Sequence, residues 1–82
     1  MNVLLTPAAS KQLVKLPRVT HSRIFRKLIF LKENPFVGKS LKRNLKAHYS
    51  LRAWPYRILY TIIKNKQIIL VTAIEHRQGV YK

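Results

Sequence analysis

The chain contains no cysteine, which removes disulfides and thiolate metal sites. Carboxylates are almost as scarce, Glu33 and Glu75 being the only two. They cannot assemble the acidic cluster that a two-metal nuclease needs to hold its ions. His21, His48 and His76 lie far apart with no ligand spacing, so no metal centre is expected. No motif of a serine or cysteine hydrolase is present. The longest apolar runs, ILYTII and IILVTAI, are far too short to span a bilayer, and MNVLLTPAASK lacks the basic start and long apolar core of a signal peptide. Without a linker-like Pro/Gly/Ser stretch, residues 1–82 read as a single domain, expected to be soluble and cytoplasmic.

What the sequence does have is positive charge. Seventeen Lys and Arg against two acids give a formal charge of +15 and a pI near 11.2. Such a domain repels itself, and a phosphate backbone relieves that repulsion while releasing counterions to each Lys or Arg that binds. Nucleic acid is therefore the expected ligand class. A merely solvated basic face normally comes with interspersed acids. An anionic membrane surface would call for a basic amphipathic helix with no competing core, which fits poorly with the strands that follow.

Val3 to Leu5 is a short apolar strand, and Thr6 and Pro7 suit the N-cap and first position of a helix. Ala9, Leu13 and Leu16 give Pro7 to Leu16 one apolar face before Pro17 stops it. A longer helix runs from Arg18 to Glu33, with Ile24, Leu28 and Leu31 on one stripe, Phe25 and Ile29 widening it, and Arg23, Arg26 and Lys27 outward. Asn34 and Pro35 end it. Phe36 to Lys46 has Gly38, four basic residues (Lys39, Lys42, Arg43, Lys46) and no clean period, and reads as an irregular loop. Tyr49–Ala53, Tyr56–Lys64 and Gln67–Glu75 then read as strands, joined at Trp54–Pro55 and Asn65–Lys66. The expected class is α+β, in the order βααβββ, with an N-terminal helical hairpin packed on a small, mainly antiparallel four-stranded sheet.

Alternation along the strand from Tyr56 puts Arg57, Leu59, Thr61 and Ile63 on one face and Tyr56, Ile58, Tyr60 and Ile62 on the other. Both are largely apolar, so the sheet is expected to be covered on both sides or to curl around a core. An arginine at Arg57 then either meets a carboxylate or faces an open surface that takes an anion. Arg52 comes close across the hairpin, and two adjacent guanidiniums repel until an anion binds. The terminal EHRQGVYK places His76 and Arg77 at the edge of the same surface, and a turn at Gly79 can return Tyr81 to it. Glu75 reads as a strand-end carboxylate steadying the nearby arginines. Cleavage of RNA by its own 2′-OH needs a base, cations for the extra charge on phosphorus and an acid for the leaving 5′-oxygen. Arg52, Arg57 and Arg77 can supply the charge; His76 and Tyr81 can carry the protons, histidine having an unperturbed pKa of about 6.5.

The string YSLRAWPYRILYTI, followed by ILVTAIEHR and VY, resembles the C-terminal half of the RelE/ParE toxin superfamily, and the βααβββ order extends the likeness over the chain. The RelE branch implies a cytosolic toxin of a type II toxin–antitoxin pair that enters the ribosomal A site of the 30S subunit, cuts the mRNA there without a metal or cofactor, and is silenced by an antitoxin. Carried over, Arg57 stabilises the phosphate, Arg77 is acid or charge stabiliser, and Tyr81 orients the reacting groups. His76 falls where relatives carry lysine or histidine. Arg52 replaces one lysine of the preceding strand and Ser50 another, which leaves His76, Tyr81 and His48 as alternatives for the base. Lys39, Lys42, Arg43 and Lys46, with Arg23, Arg26 and Lys27, are expected to contact ribosomal RNA, and the charge invites an acidic antitoxin. The ParE branch implies instead a DNA gyrase inhibitor; a non-catalytic RNA-binding module is the third reading.

Overall fold

A computed structural model of the chain describes residues 1–40 and 48–76. Along it run β1 (Asn2–Leu5), α1 (Pro7–Val14), α2 (Arg18–Glu33), β2 (Lys39–Ser40), β3 (His48–Ala53), β4 (Tyr56–Ile63), a 3-10 turn (Lys64–Lys66) and β5 (Ile68–His76). Lys42, Arg43, Lys46, Arg77, Gly79 and Tyr81 lie outside the described residues.

The Thr6 hydroxyl caps α1 by accepting the Ala9 N–H at 3.2 Å, with Pro7 at the first helical position. The helix ends at Val14 rather than Leu16, because the Leu16 N–H turns tightly onto the Leu13 carbonyl ahead of Pro17. In α2 the stripe Ile24, Leu28 and Leu31 is buried against the sheet. Phe25 and Ile29 do not widen it: they stay 50% and 54% exposed, bordering a groove of about 390 Å³ beside β1. The Asn34 side chain donates to the Phe30 carbonyl at 3.1 Å and closes the helix end. Among the described residues no helix is long and apolar enough to cross a membrane.

Among the described residues the sheet has five strands in the order β1-β5-β4-β3-β2, parallel between β1 and β5 and antiparallel elsewhere. The expected count was four. The fifth is β2, inside the segment read as a loop, where Lys39 and Ser40 pair with Ser50 and Tyr49. A two-residue strand is too short to show alternation, and its cause lies elsewhere, in Tyr60. That side chain is fully buried, so its hydroxyl must find partners inside the protein. It accepts the Gly38 N–H at 2.9 Å and donates to the Pro35 carbonyl at 3.0 Å. Burial pushes the Tyr60 phenol above its usual pKa, an effect the Gly38 N–H partly offsets. A Cβ on Gly38 would run into this ring, 3.0 Å from Cε1 and Cζ, so the approach requires glycine. Tyr49 stacks on Tyr60 at 5.3 Å between centroids, and Phe36 meets Tyr49 edge-on at 6.1 Å. The chain leaving α2 is thus fastened to the core and delivered alongside β3.

The alternation expected for β4 holds, with Ile58, Tyr60 and Ile62 buried under the helices while Leu59, Thr61 and Ile63 are only partly covered. In β5 it breaks. Tyr60 pairs with Val71 but Leu59 pairs with Ala73, so Thr72 is an extra residue, a β-bulge. Before it Ile69 and Val71 face the core; after it Ile74 does. Helix α1 and its cap hold the irregular backbone: the Thr6 hydroxyl donates to the Thr72 carbonyl at 3.3 Å, and Gln12 Oε1 accepts the Ile74 N–H at 2.7 Å. The Thr72 hydroxyl in turn donates to the Leu59 carbonyl at 3.3 Å.

Two destabilisations follow, both measurable by urea unfolding. Tyr60→Phe strands the Gly38 N–H and the Pro35 carbonyl and is expected to cost about 1–3 kcal/mol. Gln12→Ala leaves the Ile74 N–H at the bulge without its acceptor and is expected to cost about as much, in the same range of 1–3 kcal/mol. A loss below experimental error for either would show that water replaces the bond at no cost.

Candidate functional site

Directly opposed residues of an antiparallel pair project to the same face. The pairings Arg52–Arg57 and Arg57–Glu75 therefore form one cross-strand row over β3, β4 and β5 on the face turned away from the helices. The next row on that face carries Lys39, Ser50, Leu59 and Ala73, from β2 to β5. Between the two rows lies a cavity of about 210 Å³ lined by Lys39, Ser50, Arg52 and Arg57. It exists because Ser50 is short: the serine is nearly buried at its floor, and the long basic side chains stand around it. Among the described residues three cations and one hydroxyl line it, with no carboxylate. Such a lining offers charge-assisted donors to an anion, and arginine presents them in the fork that suits phosphate oxygens.

The structure thus brings Arg52 and Arg57 together. Glu75 stands opposite Arg57, on the strand side away from Arg52, in keeping with a steadying carboxylate outside the cavity. His76 is placed differently from the expectation. Opposite Tyr56, it shares the face of Ile58 and Ile74, and its ring meets Tyr56 edge-on at 5.1 Å. The physical reason is the Thr72 bulge, which reverses the alternation of everything after it. His48, by contrast, shares the face of Ser50 and Arg52, one row further along β3 and opposite Thr61.

Of the cations assigned to docking, Arg23, Arg26 and Lys27 are exposed on α2 and border a shallow pocket of about 320 Å³ with Phe30. Arg23 has a second duty, donating to the Trp54 carbonyl at 2.6 Å and tying α2 to the β3–β4 connection. Lys39 belongs to the cavity by position, and the remaining docking candidates, Lys42, Arg43 and Lys46, lie outside the described residues, as do Arg77 and Tyr81. Sequence reasoning passed over Ser50 as a site residue, although alternation alone places it between His48 and Arg52 on one face. Lys39 carried no comparable signal, since its position depends on the Tyr60–Gly38 contact.

Residues 3–81 match the family described as the ParE toxin of type II toxin–antitoxin system, parDE. The chain is 32% identical over 82 residues to Toxin RelG of Mycobacterium tuberculosis (strain ATCC 25618 / H37Rv), covering 98% of this chain and 94% of that protein. Among solved structures it resembles the toxin–antitoxin complex RelBE2 from Mycobacterium tuberculosis, with a TM-score of 0.84, 31% identity, and 93% of this chain and 96% of that chain covered. The isolated E. coli RelE toxin shares the fold at a TM-score of 0.81 and 21% identity, over 92% of this chain and 82% of that chain.

Facing guanidiniums repel, and the repulsion is screened by salt. Arg52→Gln is accordingly expected to raise the thermal midpoint at low ionic strength, and the gain should fade toward about 0.5 M salt, where the Debye length falls to roughly 4 Å. A midpoint lowered at every salt concentration would mean that Arg52 contributes packing that outweighs the repulsion.

Proposed function

The chain belongs to the family of ParE toxins of type II toxin–antitoxin systems and is a RelE-like toxin, and from that premise we propose that it inhibits translation by cutting ribosome-bound mRNA. The observation that carries the reading is the cavity framed by Lys39, Ser50, Arg52 and Arg57, a phosphate-sized concentration of cations on the open sheet face. In the proposed reaction the 2′-OH attacks the neighbouring phosphorus, a base takes its proton, and the 5′-oxygen leaves with a proton supplied by an acid. Arg52 and Arg57 stabilise the additional negative charge on the phosphoryl oxygens, the effect that contributes most where donors are fixed before the reaction. Glu75, opposite Arg57 on β5, is proposed to steady it from the far side of the row. Arg77 and Tyr81 retain the roles that the resemblance implies, charge or acid and orientation. For the base, His48 shares the cavity's face whereas His76 does not, so His48 and Tyr81 are the favoured candidates.

The basic surface supplies the rest. Arg26 and Lys27, joined by Lys42, Arg43 and Lys46, are proposed to bind ribosomal RNA, and binding should weaken steeply with salt. A cognate acidic antitoxin is proposed as the neutralising partner, since the similar RelBE2 structure is a toxin–antitoxin complex and a domain of charge +15 attracts an acidic segment. The site of action is the cytoplasm, where ribosomes and mRNA meet. A second reading has its own observation: the matched family is described as the ParE toxin, which points to inhibition of DNA gyrase by protein contact.

Induced expression separates the two. Arg57→Ala and Tyr81→Ala are each expected to relieve growth arrest and to lower cleavage of ribosome-bound mRNA by at least about 100-fold. Undiminished toxicity of both variants would contradict the nuclease reading, and gyrase inhibition with intact mRNA would establish the second.

A further inference from the structure

The sequence groups Lys39 with Lys42, Arg43 and Lys46 in a docking patch, but its place in the sheet is different. It sits in β2 directly opposite Ser50, on the face of Arg52 and Arg57, and is one of the four described residues lining the cavity between them. Its backbone is not left to chance. The preceding Gly38 N–H is held by the buried Tyr60 hydroxyl, and Pro35, three residues further back, accepts from the same hydroxyl. A lysine introduced by a clamped backbone, opposite a serine too short to fill the space, lines the cavity within reach of an anion that the two arginines attract. We propose that Lys39 is a phosphate ligand of the same centre as Arg52 and Arg57, and hence a catalytic residue, rather than a cation of the ribosome-docking surface.

The chemistry assigns it a part distinct from the arginines. A guanidinium holds two oxygens at once in a plane, whereas an ammonium is a compact charge with three rotatable donors. Approaching from β2, Lys39 meets the phosphate from the opposite side of the cavity to Arg57 on β4, with Ser50 between them on β3. Charge is then stabilised on phosphoryl oxygens that a single flank of arginines would leave to water. Binding of the anion by Lys39 stands on this geometry alone, while its place in the reaction rests on the nuclease reading above.

Two measurements on the full chain separate these levels. In the first, inorganic phosphate is titrated at constant ionic strength and followed at the Ser50 amide by NMR; Lys39→Gln is expected to weaken binding about tenfold, the loss of one charge-assisted contact. In the second, single-turnover cleavage of ribosome-bound mRNA is measured at saturating toxin. Lys39→Gln should lower the saturated rate about 100-fold, with Lys39→Arg recovering part of it, whatever happens to the salt slope of ribosome binding, which any lost phosphate contact lowers. If Lys39→Gln instead lowers that slope by about one and the saturated rate is intact, Lys39 is a docking cation and the inference fails, although cleavage by the Arg57 centre survives. If phosphate binding depends on Lys39 but the wild-type chain leaves mRNA whole, the anion site stands and the nuclease reading falls. Phosphate binding and cleavage both indifferent to Lys39→Gln would overturn the proposal outright.

Discussion

A single extra residue in β5 decides which side chains keep company with Arg57. The bulge at Thr72 lets Val71 and Ile74 both enter the core, and it turns Glu75 onto the open face while sending His76 to the other. Bulges disrupt the ladder and leave backbone groups to be satisfied otherwise. Here the satisfaction comes from the start of the chain: Thr6, already the cap of α1, donates to the Thr72 carbonyl, and Gln12 accepts from Ile74. The same short helix therefore covers the core and stabilises the irregularity that orders the open face. The parallel pairing of β1 with β5 brings Thr6 to the right place, its N–H bonding the Val71 carbonyl at 3.0 Å.

A second contact sets the opposite border of that face. Tyr60 anchors the chain after α2 through Gly38 and Pro35, which leads Lys39 to the edge of the sheet beside Ser50. The core thus holds both flanks of a cavity whose own lining works against stability. Like charges opposed across a strand pair are unfavourable, and the described residues lining the space, Lys39, Ser50, Arg52 and Arg57, include three cations. An anion bound there would relieve the cluster, which is what the proposed reaction requires. The conflict is local, because the buried residues around Ile24, Leu31, Ile58 and Ile69 lie on the other side of the sheet.

Much of this was legible in the sequence, for reasons that can be named. α2 announced itself over its full length through Ile24, Leu28 and Leu31, and the three long strands through β-branched and aromatic composition between turn signals. The Arg52–Arg57 pair followed from a two-residue connection, which leaves the register of a hairpin little freedom. What stayed hidden depends on contacts between distant segments. Nothing in IILVTAIEH marks Thr72 as the extra residue, since Thr6 and Gln12 hold it from elsewhere, and strand adjacency alone does not tell which face His76 takes. Phe25 and Ile29 satisfy the helical period of an apolar stripe but lie where β1 does not cover them. Lys39 looked like one more basic loop residue because a two-residue strand has no periodicity of its own.

The central claim is that the cations on the open face cut RNA by in-line attack of its own 2′-OH. Analysis of the product ends after incubation of the purified chain with mRNA on programmed ribosomes tests it most directly. The account predicts breaks within the A-site codon that carry a 2′,3′-cyclic phosphate or its 3′-phosphate hydrolysis product upstream and a 5′-hydroxyl downstream. Breaks with a 3′-hydroxyl and a 5′-phosphate, or no breaks at all, would contradict it.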